Sequence, residues 1–145
     1  MDIKLISPAD TYSLRHKVLR PHQTINDCMY PTDNDENAFH LGAYVNGELI
    51  SVASYYNELD PAFKANNAYR LRGMATLPEY RGKGAGSALV ADAIKIIKER
   101  NGDLLWCNAR TSAADYYQKL GFDQQGEIFD LPPIGPHKLM FVKVD

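Results

Sequence analysis

The chain has 145 residues, 45% of them hydrophobic, with a formal net charge of −2 and a pI near 6.1. That length and apolar content suit one sizeable core, so a single domain over residues 1–145 is expected. The charge balance supplies no global basic field for nucleic acid or an anionic membrane surface, so any anion site has to be local. Cys28 and Cys107 lie far apart without metal-ligand spacing, which points to two reduced thiols, no metal and a cytoplasmic setting. No stretch reads as a leader or a membrane span.

In chain order, "SPADTYSLRHKVLRP" predicts a helix capped by Ser7, with Pro8 in its first position, Asp10 three residues after the cap and Pro21 as its stop. Residues 22–38 lack periodicity and read as a loop or short helical pieces, with the acidic "TDNDEN" solvated. "HLGAYVNGELISVASYY" predicts a β-hairpin around Asn46-Gly47, because both turn positions tolerate positive φ. "NAYRLRGMATL" is a further strand, in which Gly73 marks a bulge or a close backbone approach.

"GSALVADAIKIIKER" places Leu89, Val90, Ala93, Ile94 and Ile97 on one helical face, and Gly102 follows the helix. "LLWCNA" reads as a buried strand. "SAADYYQKL" reads as a short helix capped by Ser112 and ended by Gly121. "FDQQGEIF" and "HKLMFVKV" supply two last strands around a proline-rich loop.

The segment "LPEYRGKGAG", residues 77–86, joins a strand to a helix with a glycine-rich turn of the kind that aims unpaired N–H groups at an anion. It is not a P-loop, because Leu77 and Gly84 stand where that motif needs Gly and Ser or Thr. Nor is it a dinucleotide fingerprint, since Ser87 or Leu89 falls where its last glycine or alanine belongs. What remains resembles the acyl-CoA loop of the GCN5-related N-acetyltransferase (GNAT) family, (Gln or Arg)-x-x-Gly-x-(Gly or Ala), matched by Arg81, Gly84 and Gly86. The resemblance extends through "RGMATLPEYRGKGAGSALV" and "NARTSAADYYQKLGF" and covers most of the chain from about Leu41 onward.

The resemblance implies a mixed α/β fold with a central, mostly antiparallel twisted sheet flanked by helices. It also implies direct acetyl transfer from acetyl-CoA to a small-molecule or peptide amine, with assembly as a homodimer left open. Cofactor contacts would come from Arg81, Gly82, Lys83, Gly84, Ala85, Gly86 and Ser87 at the pyrophosphate, and from Met74, Ala75, Thr76 and Asn108 along the pantetheine arm. An N–H of Met74 or Ala75 would polarise the thioester carbonyl. Tyr117 matches the tyrosine that protonates the departing thiolate, whereas Tyr116 reads as core packing.

Cys107 beside Trp106 reads as core rather than nucleophile. No unique base stands out among Glu58, Glu79, His40 and His137. His137, in the stiff loop "PPIGPH", resembles a position that some members of the family place beside the acceptor. The competing reading is a non-catalytic acyl-CoA-binding module on the same fold.

Overall fold

A computed structural model describes all 145 residues. Seven strands form one sheet: β1 (Asp2–Ile6), β2 (Phe39–Val45), β3 (Glu48–Asn57), β4 (Ala68–Thr76), β5 (Leu104–Arg110), β6 (Asp123–Leu131) and β7 (Gly135–Lys143). Their spatial order is β1-β2-β3-β4-β5-β7-β6, and every neighbouring pair is antiparallel except β4–β5. The helices are α1 (Pro8–Leu14), α2 (Ala85–Glu99) and α3 (Ala114–Lys119). None is long and apolar enough to cross a membrane.

The N-terminal strand was not legible in the sequence. β1 is an edge strand with Leu5 left 65% exposed, so its residues show no clean alternation, and pairing with β2 from Asp2–Tyr44 to Ile6–His40 is what orders it. The predicted cap of α1 is present: the Ser7 N–H and hydroxyl both donate to Asp10 Oδ2, at 3.1 and 3.0 Å. The helix then changes character before Pro21, continuing as a π-helical turn over Arg15–Leu19 that carries Arg15 into the interior.

The hairpin turns at Asn46 (φ +51°) and Gly47 (φ +81°), as its sequence requires. α2 presents Leu89, Val90, Ala93 and Ile97 to Phe39, Leu41, Tyr55, Leu71 and Leu105, and these residues form the main core. Full burial of a side chain such as Leu89 contributes about 1.5–3 kcal/mol, so this face firmly seats the helix whose start borders the site.

Two C-terminal expectations need correction. Ser112 lies within a 3-10 turn, Thr111–Ala113, rather than capping α3, whose N-cap is Ala113. The proline-rich loop contracts to a turn closed by Ile134 N–H to Leu131 C=O at 2.8 Å, and β7 begins at Gly135. His137 is therefore in a strand, opposite Arg110 of β5 and Phe129 of β6, because hydrogen-bonding neighbours on both sides draw the loop residues into the sheet.

Candidate active site

The sheet opens at its one parallel junction. β4 and β5 pair only through Ala68–Leu104, Tyr69–Leu105 and Arg70–Trp106, whereas β5 pairs with β7 along its whole length, from Leu104–Lys143 to Arg110–His137. Beyond Arg70 the β4 edge that faces β5 has no strand partner. On its other side, Ser54 pairs with Arg72 and Val52 with Ala75, so Gly73 and Met74 together oppose Ala53 in a bulge with Gly73 at φ +63°.

The Leu77 N–H donates to Ile50 C=O, and counting back two residues turns the main chain of Ala75 toward β3. Of the two expected polarising amides, Met74 is thus the one left for the opening. A cleft of about 1300 Å³ fills the wedge, reaching from Tyr30, Arg72 and Met74 across to Asn108, Tyr117 and His137. Its margin includes Thr76, Arg81, Gly82, Gly84, Ala85, Gly86 and Ser87.

At the end of β4 the chain turns through Pro78–Tyr80 and the glycine segment into α2. Gly82 and Gly84 have φ of +75° and +86°, and a Cβ at either would meet no protein atom within 4 Å. Glycine is required there by backbone conformation rather than by crowding. The N–H groups of Gly82, Lys83, Gly84, Ala85, Gly86 and Ser87 have no acceptor in the protein, and the ladder begins with Ala88 N–H to Gly84 C=O at 3.0 Å. No acidic residue occupies the first turn. Arg81 and Lys83 are exposed, with Lys83 Nζ 5.6 Å from the centre of the Tyr80 ring.

α3 delivers both tyrosines to the cleft. The Tyr117 ring is wedged edge-on between Tyr116 and Phe122, at 5.4 and 5.7 Å. Burial, followed by the nearby Cys107 and Tyr116, pushes its hydroxyl well above the usual phenol range, so it remains a protonated donor at neutral pH. Tyr116 is not the core residue expected of it. It is 44% exposed, and its hydroxyl lies 3.5 Å from Met74 Sδ, spanning from α3 to the open edge of β4. A Cβ on Gly86 would collide with that hydroxyl, so a larger residue there would displace the Tyr116 side chain from Met74. The aromatic pair was visible in the sequence, but the direction in which a six-residue helix points its faces was not.

On the far wall, His137 is 5% exposed and its Nδ1 lies 2.8 Å from Gly135 C=O. A carbonyl only accepts, so Nδ1 carries the proton and Nε2 of the neutral ring is a free acceptor. The rival bases fare worse. His40 is buried outside the cleft with both ring nitrogens engaged, to Ser54 Oγ at 2.7 Å and Asp33 C=O at 3.0 Å, and burial lowers its pKa. Glu58 pairs with Arg70 at 3.0 Å, and Glu79 is exposed and does not line the cleft. The Cys107 thiol, pushed up to about 12 by burial, has no nucleophilic character.

Beneath Tyr30 lies a polar core that sequence reasoning missed. Asp33, expected in solvent with the rest of "TDNDEN", is 2% exposed. Both of its oxygens meet the guanidinium of Arg15, at 2.7 and 3.0 Å, while the Tyr56 hydroxyl and the Tyr30 N–H also donate to it. Arg15 completes its contacts with Cys28 C=O and Ser54 Oγ, both at 2.8 Å, and the Tyr56 hydroxyl oxygen at 3.3 Å, and its guanidinium lies 4.0 Å from the Tyr30 ring centre.

This architecture matches known proteins. The model of the Acetyltransferase (GNAT) family matches residues 7–122. The uncharacterized N-acetyltransferase YitI of Bacillus subtilis (strain 168) is 47% identical over 141 residues, covering 97% of this chain and 95% of YitI. Among solved structures, the ribosomal-protein-S18-alanine N-acetyltransferase of Escherichia coli superposes with a TM-score of 0.72 at 18% identity, covering 99% of this chain and 94% of its own. An aminoglycoside 6'-N-acetyltransferase complexed with coenzyme A superposes with a TM-score of 0.74 at 14% identity, covering 100% and 98%.

Proposed function

The chain belongs to the acetyltransferase (GNAT) family and is an acyl-CoA-dependent N-acetyltransferase, and from that premise we propose how its residues divide the work. The observation that carries the proposal is the opening of β4 from β5 in a cleft bordered by the glycine loop and its run of six unpaired N–H groups. The donor set fits the group it would hold. Successive amides at a helix start, with no acid in the first turn, suit a pyrophosphate. An unpaired strand edge suits an extended amide-containing arm, which would add to the sheet as a strand does.

Gly82 through Ser87 would hold the pyrophosphate, with Arg81 and Lys83 adding charge at the exposed rim. Met74 and Thr76 would bind the arm on one wall and Asn108 on the other. When bound, acetyl-CoA supplies the acyl group as an activated thioester. The Met74 N–H then stabilises negative charge developing on the carbonyl oxygen. Tyr117 holds a proton ready for the departing sulfur, because its environment keeps the phenol un-ionised. His137 takes the amine's proton through Nε2, in a ring fixed by its bond to Gly135. No covalent enzyme intermediate is needed.

A non-catalytic acyl-CoA-binding module is the weaker reading, because pure binding has no use for a proton donor and a proton acceptor lining the same cleft. The two free thiols fit a reducing cytoplasm, and sedimentation would measure the homodimer that the family resemblance leaves open. Acetyl-CoA titration by calorimetry, together with an amine panel scored by release of free CoA thiol, tests the function. Absence of binding, or binding without thiol release for any amine, would overturn it.

A further inference from the structure

The wall of the cleft has one sign of charge. Arg20, Arg70, Arg72, Arg81, Arg110 and Lys119 line it, and neither Asp nor Glu does, although the chain has 18 acids to 16 Lys and Arg. Arg81 borders the glycine loop. Arg20 and Arg72 instead gather at Tyr30, with their guanidinium carbons 5.6 and 4.5 Å from its ring centre, while Arg15 lies 4.0 Å from the same ring.

One carboxylate serves these three cations. Asp33 commits both oxygens to Arg15 and accepts from Tyr56 and Tyr30 as well. The other ion pair in the molecule, Arg70–Glu58, takes its acid outside the cleft lining. Arg72, half-buried on β4, makes no hydrogen bond and no ion pair. Arg20 donates only to Gln23 Oε1, at 2.9 Å, and its Nε is buried without an acceptor. Desolvation and the neighbouring Arg70 lower the Arg72 pKa, and the attraction of Glu58, itself paired with Arg70, does not offset them. Packing against Tyr30 leaves the Arg72 fork and the Arg20 Nε–H without a protein acceptor, and guanidinium N–H groups match the paired oxygens of a carboxylate or phosphate.

We infer that the acceptor is a primary amine that also carries an anionic oxygen group, a carboxylate or a phosphate, held by Arg72 and Arg20 beside Tyr30. This rests on the acetyltransferase reading above and adds the acceptor's chemical class to it. A bound anion supplies the missing counter-charge, and it anchors the amine in the same cleft that His137 lines from the opposite wall. Polycationic amines meet only like charge there.

The test uses matched acceptors with the intact enzyme: β-alanine, its neutral carboxamide, 2-aminoethyl phosphate and spermidine, each scored by kcat/KM for thiol release from acetyl-CoA. One or both anionic amines should exceed the carboxamide and spermidine by at least about tenfold, the worth of one charge-assisted hydrogen bond, and the difference between the two names the oxygen group. Arg72→Gln should collapse that preference mainly through KM, and Arg72→Lys should restore part of it. In parallel, inorganic phosphate is titrated into protein saturated with CoA, so that the glycine loop is occupied. Binding should be present in the parent and lost in Arg72→Gln.

A preference for the carboxamide or spermidine overturns the inference, as does an equal loss for all acceptors in Arg72→Gln. Neither turnover of the anionic amines nor phosphate binding overturns it too. In each of these cases acetyl-CoA binding survives and so does the acetyltransferase reading, whereas a chain that fails to bind acetyl-CoA overturns both.

Discussion

Replacing Asp33 by Ala removes the only carboxylate beside a guanidinium that is 0% exposed. Arg15 keeps Cys28 C=O, Ser54 Oγ and the Tyr56 hydroxyl oxygen, all neutral acceptors, and Tyr56 and Tyr30 each lose an acceptor. Breaking a buried pair from one side costs about 3–5 kcal/mol, because the remaining charge is left uncompensated. Against a total stability of about 5–15 kcal/mol, that is a large fraction. In a chain of this size it should lower Tm by about 10–15 °C.

The loss should also depend on pH. Burial alone would raise the Asp33 pKa, but hydrogen bonds from Arg15, Tyr56 and Tyr30 outweigh burial and hold the carboxyl below its usual range. An acid with a depressed folded-state pKa stabilises fully above its unfolded value, near ~3.9, and loses that contribution as pH falls through the folded value. The gap between parent and variant should therefore be constant from about pH 7 to pH 5 and close in stronger acid. Thermal unfolding followed by circular dichroism from pH 7 down into that stronger acid checks both statements. A Tm change under about 3 °C at pH 7, or a gap that widens in acid, would refute the reasoning.

Gly84→Val places a β-branched residue at φ +86° in the acyl-CoA loop, so acetyl-CoA affinity should fall by more than about tenfold in a variant that still folds. Calorimetry measures this, and parental affinity would remove the loop from the site. Tyr117→Phe should lower kcat by about a hundredfold while leaving acetyl-CoA affinity nearly intact, the signature of a proton donor. Tyr116→Phe is the comparison, and a larger kcat loss there would move the acid to the residue that touches Met74. His137→Ala should reduce kcat/KM for the amine with acetyl-CoA affinity preserved. Matching losses in kinetics, affinity and Tm would make the ring only a support for β7.

The sequence by itself determined what is written in neighbouring residues. The Asn46-Gly47 hairpin, the capped start of α1, the apolar face of α2 and the glycine turn before it all depend on local φ preferences and short-range hydrogen bonds. The bulge at Gly73 and the placement of Tyr117 before Gly121 were readable for the same reason, and so was the family resemblance that rests on them. β1 escaped because an edge strand with an exposed Leu5 gains its order from β2, more than 30 residues away.

Tertiary structure alone decided how those pieces meet. Whether β4 stays paired with β5 or separates after Arg70 depends on β7 claiming the other side of β5, which no local pattern encodes. His137 changes from a loop residue to a buried strand residue through that same pairing. Asp33 looked like one solvated acid in an acidic loop until the chain returned Arg15, 18 residues earlier, and Tyr56, 23 residues later, to its side. A lone charge in sequence has no visible partner, and folding settles which charges are compensated. It pairs Arg15 and leaves Arg72 without an ion pair at Tyr30, because desolvation and Coulomb energy depend on distances that exist only once the sheet has closed.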